Sequence, residues 1–296
     1  MLSFDGLWIP LVTPFTPEGA VDHPALHRWV QHLAAQGVAG FVACGSTSEA
    51  AMLDAAEQSS VLATTLAAAG NKPVLMGLSG VRPAAAVAPA QQLAEPYAVA
   101  GWLVAAPTYV KPSQAGIVDF FHTVASATAL PLVAYDVPAR TGVRIETATL
   151  LALADHPQIR AVKDCSADRA AAEALLADGR LALLGGNDDE MFDQLTRGAA
   201  GSIAASAHFA TAHFVALHRL LRDQQLVEAR ALWRPLAALT RAVFTEPNPM
   251  VIKGALASQG WLSNTLRAPM QPASAASIAG VLAGVAAVEM HRASSA

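Results

Sequence analysis

The sequence is poor in charged residues, and lysine is especially scarce. Charged residues make up 14% of the 296 positions, the formal net charge is −4, and no run of basic residues occurs. The chain therefore shows no electrostatic footprint for nucleic acid or an anionic membrane. Of the 19 basic residues only four are lysines, at positions 72, 111, 163 and 253. A lysine inside an apolar segment of this chain is therefore conspicuous.

Cysteine and long apolar runs are also in short supply. The two cysteines, Cys44 and Cys165, are too few for the disulfide framework of a secreted domain. The first six residues lack the basic-then-apolar pattern of a signal peptide, and no uninterrupted apolar stretch is long enough to span a bilayer. We therefore expect a soluble cytoplasmic protein with reduced thiols.

Hydrophobic residues, with alanine dominant, make up 53% of the chain. This composition favours tightly packed helices in a globular protein. A length of 296 residues suits either one α/β barrel with an appendage or two domains. With so few charges, part of the surface is expected to be buried in an oligomer, and the expected partners are small molecules and further copies of the chain.

Short apolar runs alternate with alanine-rich amphipathic segments, which is the pattern of repeated βα units. Eight runs are predicted as strands, and eight is the closure number of the (β/α)8 TIM barrel. They are Leu7–Val12, Gly40–Ala43, Pro73–Met76, Gly101–Ala105, Leu132–Tyr135, Ile159–Lys163, Leu181–Leu184 and Ser202–Ala205. Helices are predicted between them, as at Pro24–Gln36, Asp54–Ala69, Gly116–Thr128, Glu146–Ala154, Ala167–Leu176 and Asp189–Arg197.

After about residue 221 the alternation stops. Three further helices are predicted without strands between them, at Leu226–Phe244, Met250–Gln259 and Pro272–Met290. The predicted organisation is therefore a barrel over residues 1–225, which carries the active site, followed by a C-terminal helical region over residues 226–296.

Lys163 ends the apolar run of the sixth predicted strand. An ammonium group in an apolar site is costly, so this lysine must pair its charge, reach open space or lose its proton. A snorkelling or ion-paired lysine is the structural explanation. A deprotonated amine is a nucleophile that forms Schiff bases with carbonyl compounds, which is the catalytic explanation.

Polar loops follow several of the other strands. In a TIM barrel the carboxyl ends of all eight strands lie on the catalytic face, so these loops and Lys163 are expected at one common mouth. The loops are Gly45–Glu49, Ala106–Pro112, Tyr135–Gly142 and Gly185–Asp188.

Each of these features has a structural alternative. The loop Gly45–Glu49 could cap a helix, or its backbone amides and hydroxyls could bind a carboxylate. Tyr135 could be a half-buried strand residue, or a proton shuttle for a carbinolamine. Arg140, held between Pro138 and Gly142, is better placed for bidentate capture of a substrate carboxylate than for a surface role.

Two further kinds of chemistry are not supported by the sequence. The histidine pairs His27 with His32 and His213 with His218 are each five residues apart and miss the i, i+4 spacing typical of a zinc helix, so no metal site is predicted. No histidine occupies a loop position that could activate Cys44 or Cys165, so both are interpreted as small buried residues.

Taken together, the strand-end motifs resemble the dihydrodipicolinate synthase and N-acetylneuraminate lyase family of class I aldolases. The resemblance covers essentially the full length and implies a (β/α)8 barrel that assembles as a homotetramer, a dimer of dimers. It rests on Leu11–Phe15, Gly45–Glu49, Pro107–Tyr109 with Lys111–Pro112, Tyr135–Gly142, Val162–Asp164, Gly201–Ile203, Asn248–Pro249 and Lys253.

The resemblance implies a role for each matched residue. Lys163 matches the lysine that forms a covalent imine with pyruvate, without metal or cofactor, and Tyr135 matches its proton shuttle. Thr47 matches the group that binds the pyruvate carboxylate. Ser46 stands in place of a threonine that links Tyr135 to Tyr109, and Tyr109 enters the neighbouring subunit's site in the family.

Arg140 resembles the arginine that binds the second substrate's carboxylate, and the Ile203 carbonyl lies near pyruvate in relatives. With Tyr109, Arg140 favours condensation of pyruvate with L-aspartate 4-semialdehyde to 4-hydroxy-tetrahydrodipicolinate, in lysine and diaminopimelate biosynthesis. An aldolase or dehydratase acting on another 2-oxo acid or aldehyde is the alternative within the family. A barrel that only binds a 2-oxo acid is disfavoured, since packing alone would not require Lys163, Tyr135 and Tyr109 together.

Besides Ser46, three positions depart from the family's usual motifs: Ser48, Asp136 and Thr108, the last of which replaces a frequent tyrosine. Ser48 replaces a glycine, which would reshape the carboxylate site if the backbone there required φ > 0. Asp136 replaces an asparagine and adds a negative charge beside Tyr135, which would oppose a tyrosinate. The positions matching the family's lysine-inhibitor site offer no carboxylate or imidazole, so lysine feedback is expected to be weak or absent; they are Ala50, Ala55, Gln58, Val81 and Ala85.

Overall fold

The structure, a computed structural model, describes residues 2–293, and eight parallel strands form a closed barrel in chain order. This architecture confirms the predicted (β/α)8 fold. The strands are β1 (Gly6–Pro10), β2 (Gly40–Ala43), β3 (Val74–Leu78), β4 (Gly101–Ala105), β5 (Leu132–Asp136), β6 (Ile159–Asp164), β7 (Ala182–Gly185) and β8 (Gly201–Ile203).

Helices follow the strands, as the alternating pattern predicts. Those between β1 and β8 are α1 (His23–Ala34), α2 (Ala55–Ala68), α3 (Pro83–Ala94), α4 (Gln114–Ser126), α5 (Pro138–Thr141), α6 (Thr147–Leu153), α7 (Arg169–Asp178) and α8 (Met191–Thr196). After β8 come α9 (Thr211–Arg222), α10 (Leu226–Val243), α11 (Met250–Ser258) and α12 (Ala275–Ala293). No helix within the described residues is both long and apolar enough to cross a membrane.

Two compact units make up the chain. The first contains Pro73–Ile203, with strands β3–β8 and helices α3–α8. The second contains Gly6–Lys72 and the chain from Ala204 onward, with β1, β2, α1, α2 and α9–α12. The division at residue 225 stays a prediction.

Capping side chains explain where several helices begin. Asp22 accepts a hydrogen bond from the Ala25 amide at the start of α1, and Asp54 forms a capping box with Glu57 at the start of α2. Asn187, which precedes the short turn Asp188–Glu190, forms no such cap, because its side chain donates instead to Glu190 at 3.1 Å.

The last helix begins three residues later than predicted, at Ala275 rather than at Pro272. The hydroxyl of Ser274 accepts from the Ser277 amide at 3.2 Å and therefore caps the helix at this point. Within the second unit, α12 packs against α10 and α11. The approach to α10 is close at Gly284, where a Cβ atom would lie 3.1 Å from Leu239 Cδ1.

In the first unit, the register of β5 and β6 sets the positions of the polar strand-end residues. Tyr135 pairs with Lys163, and Asp136 pairs with Asp164 one residue further along. Because side chains alternate across a strand, Tyr135 and Lys163 share one face of the sheet while the two aspartates share the other.

Candidate active site

Lys163 lies near the carboxyl end of β6 and is only 7% exposed. Burial lowers the pKa of its ammonium group, because charge is poorly solvated there. The positive charge of Arg140 acts in the same direction, while the negative charge of Asp188 opposes it. The amine is thus easier to deprotonate than an exposed lysine, as a carbonyl nucleophile requires.

Tyr135 is the neighbour of Lys163 on β5. The Lys163 ammonium nitrogen lies 4.3 Å from the centre of the Tyr135 ring, and the tyrosine is largely buried. Its hydroxyl oxygen accepts a weak hydrogen bond from the Cys165 thiol at 3.9 Å. The structure therefore brings together an amine, a phenol and a thiol on one face of two adjacent strands.

The sequence interpretation overlooked Gly186, which makes room for the lysine. A Cβ atom there would lie 3.0 Å from Lys163 Cε and 2.8 Å from the Asp164 carbonyl oxygen. Any larger residue would displace the lysine side chain or the backbone beside it. The signal in the sequence was the Gly-Gly pair at the end of the seventh strand.

Cys165 is half-buried, and its thiol lies closer to the site than its interpretation as a small buried residue implied. Burial raises the pKa of its thiol to about 11, and Lys163 and the hydrogen bond to Tyr135 only partly offset this effect. The thiol therefore stays protonated at neutral pH and acts as a weak donor to Tyr135.

The departure at Asp136 has less effect on Tyr135 than its position in the sequence implies. Its side chain lies on the opposite face of the sheet, where its Oδ1 accepts from the Ile145 amide at 3.4 Å. Burial, with a contribution from the Asp164 charge, raises the pKa of Asp136 to about 7. A large fraction is therefore neutral at physiological pH, so its charge opposes a tyrosinate less than a fully ionised aspartate would.

Asp164 is better satisfied than its neighbour. Its Oδ1 accepts from the Ser166 amide at 2.8 Å and from the Ser166 hydroxyl at 2.6 Å, and its Oδ2 accepts from the Gln194 amide at 3.4 Å. Of the two facing carboxylates, Asp164 is thus the one with hydrogen bonds to both of its oxygens.

Tyr109 and Arg140 lie on the loops after β4 and β5. Tyr109 is 91% exposed and has φ +70°, so its loop holds a large aromatic side chain in solvent. Arg140 is exposed on the single turn α5, which ends at Gly142 with φ +74°. The side chain of Lys111 lies over Gly142, where a Cβ atom would be 3.1 Å from Lys111 Cε. Ile203 ends β8 and is buried.

The loop after β2 belongs to the second unit and is built as a short 3-10 turn, Ser46–Ser48. Ser46 is exposed, while Thr47 and Ser48 are buried. Ser48 does not require a positive φ, so its substitution for glycine leaves the turn unstrained; the left-handed residue is Glu49, with φ +56°. The Ser48 hydroxyl donates to the Leu11 carbonyl at 2.5 Å, and Thr13 donates to the Ser48 carbonyl at 2.8 Å.

Glu49 is a buried anion and not the exposed first-turn residue that helix capping would need. Its Oε1 accepts from Lys253 Nζ at 2.6 Å, and its Oε2 accepts from the Arg267 amide at 3.0 Å. The Phe15 ring lies 4.1 Å from Lys253 Nζ and 4.5 Å from Arg267 Cζ. Lys253 is fully buried; burial lowers its pKa to about 8, against the pull of Glu49.

Thr47 has a partner that the sequence interpretation did not identify. The side-chain amide of Asn248 donates to the Thr47 hydroxyl oxygen at 2.9 Å. Asn248 and Lys253 were recognised only as landmarks of the resemblance, and their 201- and 204-residue separations from Thr47 and Glu49 left no local pattern from which to infer contact.

Comparison with known protein families shows which family the chain belongs to. Residues 3–285 match the model of the dihydrodipicolinate synthetase family. The chain belongs to this family. It is 35% identical to the 4-hydroxy-tetrahydrodipicolinate synthase of Kineococcus radiotolerans, over 93% of this chain and 90% of the relative. This confirms the predicted family and the predicted class of enzyme, a class I aldolase-type lyase.

Solved structures of family members are also similar. A chloride-inhibited dihydrodipicolinate synthase from Acinetobacter baumannii, complexed with pyruvate, superposes with a TM-score of 0.93 at 27% identity, covering 97% of this chain and 99% of the other. A monomeric dihydrodipicolinate synthase variant superposes with a TM-score of 0.91 at 28% identity, covering 96% of each chain. Within residues 2–293, no group of three or more His, Cys, Asp or Glu residues is arranged to hold a metal ion.

Replacing Asp136 by asparagine, the residue more usual in the family, should stabilise the protein at alkaline pH. The folded-state pKa of about 7 exceeds the ordinary 3.8. The native state therefore holds its proton more tightly than the unfolded state. The contribution of Asp136 to the free energy of unfolding is therefore fully present below about pH 4 and is lost as the pH rises through 7. Because asparagine cannot ionise, Asp136→Asn should gain on the order of 2–4 kcal/mol at pH 8 relative to pH 4.

Urea unfolding at pH 4, 6 and 8 would measure this gain. The exposed Asp119→Asn on α4 makes the same charge change and serves as the control. A gain for Asp136→Asn that does not grow with pH would contradict the shifted pKa.

Proposed function

We propose that the chain condenses pyruvate with L-aspartate 4-semialdehyde to 4-hydroxy-tetrahydrodipicolinate, in lysine and diaminopimelate biosynthesis. The observation that carries the proposal is the buried amine of Lys163 beside the Tyr135 ring, in a member of a family of such synthases. The names of its relatives support the same reaction. No metal or organic cofactor is required, because the lysine itself forms the covalent intermediate.

In the proposed reaction the neutral Lys163 amine attacks the keto carbon of pyruvate. The resulting carbinolamine takes up a proton on its hydroxyl group and loses water, which leaves a protonated imine. Loss of a methyl proton then converts this imine into an enamine, whose terminal carbon attacks the aldehyde and regenerates the protonated imine. The amino group of the semialdehyde then attacks the imine carbon, which closes the ring and releases the Lys163 amine. Tyr135 is the group proposed to move these protons, since its phenol lies beside the lysine on the adjacent strand.

The remaining site residues are assigned by their match to the family. Thr47 and the backbone amides of its turn bind the pyruvate carboxylate, and the Ile203 carbonyl lies beside the same substrate. Ser46 links Tyr135 to Tyr109 in a proton relay. Ser46 and Tyr109 are both exposed on the single chain. This exposure supports a relay that is completed by a group from outside the chain.

We also propose a cytoplasmic homotetramer, built as a dimer of dimers, in which Tyr109 enters the neighbouring subunit's site. The large exposed tyrosine on a positive-φ backbone supports this role, because such a conformation needs a compensating benefit. One similar structure is that of a monomeric dihydrodipicolinate synthase variant, and measurement of this chain's mass in solution tests the tetramer. Residues 1–225 are proposed as the catalytic barrel and 226–296 as its helical region.

The imine is tested by reducing the protein with borohydride in the presence of pyruvate. We expect one pyruvate-derived mass increase per chain, mapping to the peptide that contains Lys163, because a reduced imine is permanent. Lys163→Ala should prevent the adduct, and Lys111→Ala, which removes an exposed lysine, should not. An adduct elsewhere, or none, would sink the Schiff-base mechanism.

The second substrate is tested with Arg140. A charge-assisted contact with a carboxylate contributes about 1.5–3 kcal/mol, so Arg140→Ala should raise KM for aspartate semialdehyde about 10- to 100-fold and leave KM for pyruvate nearly unchanged. The control is Arg144→Ala, since Arg144 instead pairs with Asp168 at 3.1 Å. Faster turnover with another aldehyde, with no effect of Arg140→Ala, would favour the alternative aldolase or dehydratase.

The role of Tyr109 is tested by complementation. Tyr109→Phe and Lys163→Ala should each be nearly inactive alone. Co-expressed, they should recover part of the activity, because a Lys163→Ala subunit supplies an intact Tyr109 to a site that retains Lys163. The double variant co-expressed with Tyr109→Phe is the control. Full absence of recovery in isolated mixed oligomers would argue against a shared site.

A further inference from the structure

The segment that begins α11 holds the carboxylate-binding turn at two points. Asn248 donates from its side-chain amide to the Thr47 hydroxyl at 2.9 Å, and Lys253 donates to Glu49 at 2.6 Å. We call Asn248 and Lys253 the bracket. All four residues belong to the second compact unit. The contacted residues, Thr47 and Glu49, are two positions apart, and the two bracket residues are five positions apart.

The first contact decides what the Thr47 hydroxyl can do. A side-chain amide nitrogen only donates hydrogen bonds, so the Thr47 oxygen must accept this one. Its own proton then points away from Asn248 and remains to be donated. A hydroxyl held in this way is oriented as a donor before an anion arrives, which reduces the ordering cost of binding.

The second contact fixes the turn and cancels its charge. Both carboxylate oxygens of Glu49 are occupied, by Lys253 and by the Arg267 amide. Glu49 itself has the left-handed φ of +56° that reverses the chain after Thr47. An unpaired carboxylate two residues from the turn's binding group would repel an anionic substrate, and Lys253 neutralises that charge.

Asn248 is the member of the bracket that acts on the binding hydroxyl directly. Arg267 is engaged elsewhere: its guanidinium donates to Glu57 and to the Met52 carbonyl at 2.7 Å. The loss of Lys253 would leave a buried carboxylate without its counter-charge and destabilise the fold. The loss of Asn248 removes one neutral hydrogen bond from a half-buried position.

We propose that Asn248 is a positioning residue for the keto-acid substrate: it holds the Thr47 hydroxyl as a donor toward the substrate carboxylate. The inference rests on the proposed function, in which Thr47 binds that carboxylate. It assigns to the region after residue 226 a part in binding the keto acid.

The test compares two Asn248 variants by steady-state kinetics. Asn248→Ala removes one neutral hydrogen bond, so KM for pyruvate should rise about 5- to 10-fold. The kcat value and KM for the aldehyde should stay within about twofold, because the contact does not touch the reacting atoms. Asn248→Asp is isosteric, yet its carboxylate accepts a hydrogen bond from the Thr47 hydroxyl and repels the substrate, so the rise should reach about 30-fold or more.

Asn264→Ala is the matched control, since Asn264 is another half-buried asparagine of the same unit. It should leave both KM values unchanged. In a Thr47→Val background, Asn248→Ala should have little further effect, because the hydroxyl through which it acts is gone. Thermal unfolding of each variant verifies that the protein is folded.

Two results would overturn the inference. One is a KM for pyruvate that is unchanged in Asn248→Asp. The other is an increase in KM for pyruvate on Asn248→Ala that is equally large in the unaltered protein and in the Thr47→Val background. Borohydride trapping of the unaltered protein separates this failure from failure of the proposed function. If pyruvate is trapped on Lys163 but the Asn248 variants bind it normally, only the positioning role is wrong.

Discussion

The removal of one lysine amine from water is the constraint on which this site depends. Lys163 lies at a strand end where burial lowers its pKa, its side chain passes a glycine that follows the adjacent strand, and its nitrogen lies over the face of Tyr135. Burial favours the neutral amine, and the glycine leaves space for the side chain. An exposed lysine would remain protonated at neutral pH and would react poorly with a ketone.

Lys253 shows what the same burial does when a counter-charge is supplied. It is even less exposed than Lys163, and it donates to Glu49 at 2.6 Å. The Lys253 amine is occupied by this ion pair, which holds the turn in place, whereas the Lys163 amine remains able to react with a carbonyl carbon. The chain thus uses its two buried lysines in opposite ways, and the difference lies in whether a carboxylate meets the amine.

The contacts around Asp136 illustrate how alternation across a strand separates neighbours. In the sequence Asp136 adjoins Tyr135, and a charge there would oppose a tyrosinate. In the barrel the two side chains lie on opposite faces, and burial raises the pKa of Asp136 to about 7. The same alternation brings Lys163 and Tyr135, which are 28 positions apart, onto one face, because they pair in register on adjacent strands.

Local pattern was sufficient for the strands, the helices and the strand-end position of Lys163, because apolar periodicity and capping act over a few residues. The motifs also allowed the family to be recognised. The spaces and partners were decided by tertiary structure: the room at Gly186, the buried Glu49 and the contact from Asn248 to Thr47. These depend on segments up to 204 residues apart, and no short-range pattern encodes which of them meet when the apolar core closes.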